Sequence, residues 1–234
     1  MRSPVALLLV LIAPLASALE EGRLRDVRVR GGVIPGSGTV HIETDFTGFP
    51  SFDEDVPGFD RGYRASIGFF ESFRSIANPN GTVLLGLSIS FSQLSVETNR
   101  FSGDGGLEAD AISVDGHAGY ALPLAKHIHL EALGFLGAGG MRVTDHTPST
   151  ILDPVTGLPI GTQDSNRSNG DGPYYEGGIS GGAYYTFANG VQLGLDAGVL
   201  AFHASATVNW LNARSEYTFS GFGPFANLSL GLRF

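Results

Sequence analysis

The chain has no cysteine. That excludes a disulfide framework and a lipid-anchored cysteine near the amino terminus. Long apolar runs are missing too. Beyond the first eighteen residues, no stretch approaches the ~20 residues of a spanning helix without glycine, proline or charge. Positive charge is scarce. The 14 Lys and Arg face 23 Asp and Glu, for a net charge of −9, which argues against nucleic acid as a partner. There is no phosphate-binding glycine loop, zinc spacing or nucleotide fingerprint. Glycine-rich stretches such as residues 137–140 lie inside alternating apolar runs and are not phosphate cradles. No cofactor and no resident metal are expected.

What is present begins with a leader. Arg2 supplies a positive start, residues 5–16 are apolar apart from Pro14, and Ala16-Ser17-Ala18 is a small-residue cleavage site. Residues 1–18 therefore read as a secretory signal peptide. Glycine is abundant, at 34 of 234 residues, and aromatic weight lies in 16 Phe and 7 Tyr against one Trp. Glycine inside strands suits the close packing of a narrow barrel lumen.

The ending is the most telling segment. Leu228, Leu230, Leu232 and Phe234 fall on one face of a period-two alternation, and Asn227, Ser229, Gly231 and Arg233 fall on the other. A half-oily strand stopped at a terminal aromatic resembles the closing strand of outer-membrane β-barrels. The resemblance implies an outer-membrane location. It also implies that Phe234 is part of the signal read by the barrel assembly machinery.

Spanning barrel strands need about 9–11 residues, apolar outward and polar inward. Working back from the end, such strands are expected at residues 217–234, 191–208, 174–187, 127–143, 109–122, 82–96, 63–73 and 39–46. The Asn189-Gly190 pair marks one hairpin turn. The count is eight, which places residues 36–234 in an all-β, eight-stranded antiparallel transmembrane barrel resembling the small OmpA-like or OmpX-like type. Such a barrel is expected to be a monomer among outer-membrane lipid and lipopolysaccharide. Connections near Asn78, Leu124 and Asn189 are short. Those at residues 47–62, 97–108, 144–172 and 209–216 are longer, and this asymmetry puts Phe234 on the periplasmic side. Phe73, Tyr120, Phe187 and Phe234 would then form an inner aromatic belt. Residues 19–35, carrying Arg23, Arg25, Arg28 and Arg30, read as a periplasmic lead-in or partial plug.

Three groups of residues could carry function. Extending one alternation along every strand turns His41, Glu43, Asp45, Arg64, Asp115, His117, His129, Glu131, Glu176, Asp196 and Arg233 into the lumen. Eight strands enclose space that side chains fill, so these charges are expected to pair as a structural network. The competing reading is a narrow cation or proton path through His117 and His129, placed at similar height on neighbouring strands. The second group is His203 and Ser205, polar residues on the outward face of the seventh strand, followed by Glu216. A hydroxyl, an imidazole and a carboxylate can act as nucleophile, base and orienting group. The pattern resembles the outer-membrane lipid A 3-O-deacylases. This chain departs from them at Ala206, where the family has Asn, and in having Glu216 well before the end. The third group is the outer loops. Residues 47–62 hold Asp53, Glu54, Asp55 and Asp60 among Phe49, Phe52 and Phe59. Asp164, Asn166 and Ser168 have part of a calcium-loop spacing, without its glycine at Asn169 or its closing Glu at Tyr175. The reading preferred from sequence is a non-enzymatic barrel with a structural or surface-interaction role through its outer loops, with the deacylase and the channel as alternatives.

Overall fold

The computed structural model describes residues 24–34, 38–46, 51–57, 61–74, 81–98, 105–145, 149–152, 159–163, 168–209 and 213–234. The signal peptide, the turn at Asn78 and the loop residues Phe49, Phe59, Asp60, Asp164 and Asn166 lie outside them. The elements are strands β1 (Leu24–Ile34), β2 (Gly38–Phe46), β3 (Phe52–Pro57), β4 (Arg61–Arg74), β5 (Thr82–Thr98), β6 (Gly105–Ala125), β7 (Ile128–Asp145), β8 (Ser149–Leu152), β9 (Pro159–Gln163), β10 (Ser168–Thr186), β11 (Val191–Asn209) and β12 (Ala213–Arg233).

The wall runs β1-β4-β5-β6-β7-β10-β11-β12 and closes by pairing β12 back onto β1. It is thus a ring of eight antiparallel strands, with every backbone edge satisfied by a neighbour, as a strand-built membrane span requires. The closing seam runs Asp26↔Arg233 to Val33↔Ala226. Arg25 and Phe234 extend it with two backbone hydrogen bonds, of 3.0 and 2.9 Å.

Two elements differ from the sequence reading. Residues 24–34 are not a lead-in or plug. They form β1, the first wall strand, with Val29 and Val33 exposed on the outer face and Asp26, Arg28 and Arg30 buried on the inner. Arginine on the polar face disguised an amphipathic spanning strand. The stretch at residues 39–46 is a strand, but not a separate wall element. Its pairing with β12 resumes at Gly38↔Gly221 in the register that β1 leaves at Val33↔Ala226. The β2–β3 pairing likewise continues the register of β1–β4. The β1–β2 line and the β3–β4 line are thus the two arms of one long hairpin. The count stays at eight because one strand is gained at residues 24–34 and one is absorbed.

The second difference is chemical. Along β5, β6, β7, β11 and β12 the hydrophobic face changes side. On β11, Leu193, Leu195, Ala197, Val199 and Ala201 point outward over a length that fits a spanning strand. Beyond them the outward positions are His203, Ser205, Thr207 and Asn209, while the inward ones become Leu200, Phe202, Ala204, Ala206 and Val208. On β12, Phe222, Leu228, Leu230 and Leu232 face out below, and Arg214, Glu216, Thr218 and Ser220 face out above. Tyr217, Phe219 and Phe225 are buried inside. Where lipid surrounds the wall, the oily face must point outward. Where the wall rises into water, the polar face turns outward and the oily face fills the interior.

Among the described residues, short turns join β6 to β7 and β10 to β11 at the end of the barrel that carries Phe234. Gly190 takes φ 85°, a left-handed conformation that favours glycine, and the Val191 amide donates to Asn189 Oδ1 at 3.2 Å. Tyr120 lies so close to Gly81 that a Cβ there would meet its hydroxyl at 1.7 Å. Tyr185 packs edge-on against Phe187 at 4.8 Å between ring centroids. These rings lie, with Phe73 and Phe234, near that same end of the barrel.

Candidate functional site: lumen and outer collar

The lumen is built in tiers. In the inner tier, Arg28 is fully buried. Its guanidinium donates to Glu131 at 2.5 and 2.8 Å and to Asp26 at 2.5 Å. Arg233 donates to both oxygens of Asp26 at 2.7 and 2.9 Å, and His129 Nε2 pairs with Glu131 at 3.0 Å. The Arg28 plane lies between the rings of Phe70 and Tyr184, at 4.7 and 4.6 Å from their centroids. A charge this deep is tolerated because its two terminal nitrogens meet carboxylates and its faces meet aromatic π clouds. Asp196 accepts from Asn227 at 3.1 Å and from the Tyr184 hydroxyl at 3.3 Å.

The middle tier is centred on Arg64. It donates to Asp115 and Glu176, each at 2.9 Å, and to Ser90 at 3.0 Å. The hydroxyls of Ser88, Ser90 and Ser113 donate to Asp115, and Ser113 also reaches Glu176 at 2.5 Å. His117 pairs with Ser88 at 2.8 Å and sits between the rings of Phe70 and Phe135, at 5.2 and 5.7 Å.

Above this the interior is apolar. Val40, Ile42, Leu107, Val143, Val208 and Phe219 are all buried in one cluster that fills the outer lumen. The Tyr217 hydroxyl donates to Asp145 at 2.5 Å within this part of the barrel. An ion crossing here would lose most of its water for few polar partners, and the Asp145 carboxyl is already held by Tyr217. Planar-bilayer recordings of the refolded protein are therefore expected to show no stable unit conductance. A reproducible cation-selective pore sensitive to Asp115→Asn would contradict the closed lumen.

Of the residues read as a lumen network, Arg64, Asp115, His117, His129, Glu131, Asp196 and Arg233 do line the interior. Glu43 does not. With His41 and Asp45 it faces outward into water, because β2 lies above the point where the hydrophobic face changes side. For the same reason Val40 and Ile42, read as lipid-facing, are buried inside. His117 and His129 are not level: His117 stands opposite Phe135, whereas His129 stands opposite Pro123. The offset is roughly 20 Å along the strand. Sequence reasoning passed over Asp26 and placed Arg28 and Arg30 in a lead-in or partial plug instead of on the inner face of a wall strand. The signal available was the alternation of Val27 and Val29 with Arg28 and Arg30.

Outside, an acidic collar crowns the wall. Glu43 stands directly between Asp53 on β3 and Glu216 on β12. The same row continues through Thr207, Asp171, Arg142 and Asp110. Arg142 pairs with Asp171 at 2.8 Å, which holds that carboxyl below the usual carboxylate range. His41 Nδ1 pairs with Asp55 at 2.8 Å, and this hydrogen bond raises the imidazole above its ordinary range. Ligand atoms of His41, Glu43 and Asp53 lie within 4.8 Å of one another, all on exposed side chains.

The residues of the deacylase-like pattern are not brought together. His203 Nδ1 pairs with Ser220 across the strand gap at 3.0 Å. Ser205 stands opposite Thr218, and Glu216 stands opposite Thr207 and Glu43. The outward positions that follow them, Thr207 and Asn209 on β11 and Glu216 and Arg214 on β12, are polar as well.

No family model matches the chain, and no curated protein does. Solved structures do. Neisserial surface protein A is 13% identical, with a TM-score of 0.40, and the match covers 92% of this chain and 100% of that one. The outer membrane protein OprG from Pseudomonas aeruginosa is 10% identical, with a TM-score of 0.39, over 91% of this chain and 96% of that one. Ail, the attachment invasion locus protein of Yersinia pestis, is 13% identical, with a TM-score of 0.29, over 92% and 100%. At such identities the likeness is one of fold. The chain is an eight-stranded antiparallel β-barrel with a lipid-facing apolar belt, the architecture of small outer-membrane proteins.

Proposed function

We propose that the protein is a closed outer-membrane barrel with a non-enzymatic surface role, a stiff pedestal that raises an acidic collar above the lipopolysaccharide-bearing leaflet. The observation that supports this reading best is the change of hydrophobic face along the strands. An apolar outer lumen serves neither transport nor a catalytic cavity, but it keeps the raised wall rigid. Paired strands continue from His203 to Asn209, roughly 20 Å along the strand. Like charges placed directly opposite across strands, as Asp53, Glu43 and Glu216 are, oppose folding. Their presence on a rigid rim suits a partner that brings positive charge, and net charge of one sign speeds such encounters.

The test uses the full chain in phosphatidylcholine vesicles and fluorescent polylysine as the basic probe. Binding above that of protein-free vesicles is expected, weakening with salt and falling strongly when Asp53→Asn, Glu43→Gln and Glu216→Gln are combined. Equal binding by the folded triple variant would overturn the collar as the interacting surface.

A further inference from the structure

A second concave site lies at the opposite end of the barrel. The turn joining β6 to β7 and the turn joining β10 to β11 lie side by side, the Thr186 amide donating to the His127 carbonyl at 2.8 Å. With Arg233 near the chain end they enclose a pocket of about 220 Å³. Among the described residues its wall carries Lys126, His127, His129 and Arg233 and no carboxylate. Lys126 is the only lysine of the chain.

The carboxylates that balance this end sit behind the wall. Asp26 grips Arg233, and Glu131 holds His129, so both basic groups are anchored from the lumen side. His127 is tied through Nδ1 to the Thr186 carbonyl at 3.1 Å. When protonated, its ring offers Nε2–H as a second donor. Lys126 adds an exposed ammonium that can swing onto a ligand. Ile128 and Phe187 are exposed on the lipid side of the same rim. The pocket therefore opens at the depth of the periplasmic headgroups.

We propose that this pocket binds a phosphate group, presented by the headgroup of an anionic phospholipid in the periplasmic leaflet. Phosphate suits the wall because it is multiply acceptor-bearing and anionic, and lysine and protonated histidine supply charge-assisted donors without a carboxylate competing in the wall. The site is independent of the acidic collar, since it faces the other side of the membrane.

The single lysine makes the test clean. The full-length protein, refolded in maltoside micelles, is treated with an amine-acetylating reagent, and acetylation of Lys126 is followed by mass spectrometry. Phosphatidylglycerol added to the micelles should slow Lys126 several-fold relative to an uncharged diacylglycerol, and inorganic phosphate should do so only at much higher concentration. Protection by inorganic phosphate at lower concentration than by lipid would overturn the headgroup as the source while keeping the phosphate site. Sodium chloride of matched ionic strength should not protect, and equal protection by it would overturn the site. His127→Ala should remove the protection while the folded, heat-modifiable band remains. If that variant does not fold, His127→Asn, which keeps an N–H donor for the Thr186 carbonyl but carries no charge, takes its place and should likewise lose the protection. Full protection in a folded His127→Ala protein would overturn the assignment.

Discussion

Phe219→Asp should abolish the folded, heat-modifiable form of the barrel, whereas Thr218→Asp one residue away should leave it intact. Phe219 is completely buried, opposite Ala204 on β11 and Val40 on β2. Removing a buried phenylalanine alone costs about 3–5 kcal/mol. Aspartate adds the burial of a carboxylate in a mostly apolar cluster, a cost of several kcal/mol more unless it stays protonated. Against the ~5–15 kcal/mol of a typical domain the sum is decisive. Thr218 is on the outward face at a height where that face meets water, so a charge there remains solvated. Unboiled gels of the two variants, refolded side by side, make the measurement. A folded Phe219→Asp protein, or an unfolded Thr218→Asp one, would mean that the hydrophobic face does not change side here.

Arg28→Met is expected to lower the stability to urea unfolding by about 3–5 kcal/mol, the usual cost of removing one partner from a buried ion pair. Asp26 and Glu131 would be left facing each other without the guanidinium that bridges them, and the slot between Phe70 and Tyr184 would lose its cation. Arg28→Lys should recover only part of the loss, because an ammonium cannot span both carboxylates with a planar fork. Adding Glu131→Gln to Arg28→Met should return part of the stability by removing one stranded charge, the non-additivity expected of residues in contact. By contrast, Arg142→Met should change little, since its partner Asp171 stands in solvent. An Arg28→Met barrel as stable as the parent would show that the inner tier is hydrated rather than held by this bridge.

Several features were open to reading from residues alone. Seven of the eight wall strands and their antiparallel order follow from period-two alternation and hairpin residues such as Asn189-Gly190. These are local signals, each written within about twenty residues. Seven of the eight residues proposed for the lumen network were reached by counting along spanning strands where one face stays oily. The membership of Leu24–Ile34 in the wall was harder to see, because Arg28 and Arg30 made it look like a basic tail. Their partners Asp26, Glu131, Phe70 and Tyr184 come from four strands, and three of these lie far from them in the chain.

The amino-acid sequence by itself determined that the chain forms a closed sheet with an oily exterior and a terminal aromatic strand, because alternation and turn chemistry act between near neighbours. Only the tertiary structure decided which face is inside at each height. Alternation has the same period whether its oily side meets lipid or a dry core. A run such as Val40-His41-Ile42-Glu43 therefore reads identically in either phase. The register against β12 and β3 places that run above the apolar belt, and water on the outside then turns Glu43 outward and Val40 and Ile42 inward. The same closure brings Asp26, Arg28, Glu131 and Arg233 into one ion network, across sequence separations that no local pattern could bridge.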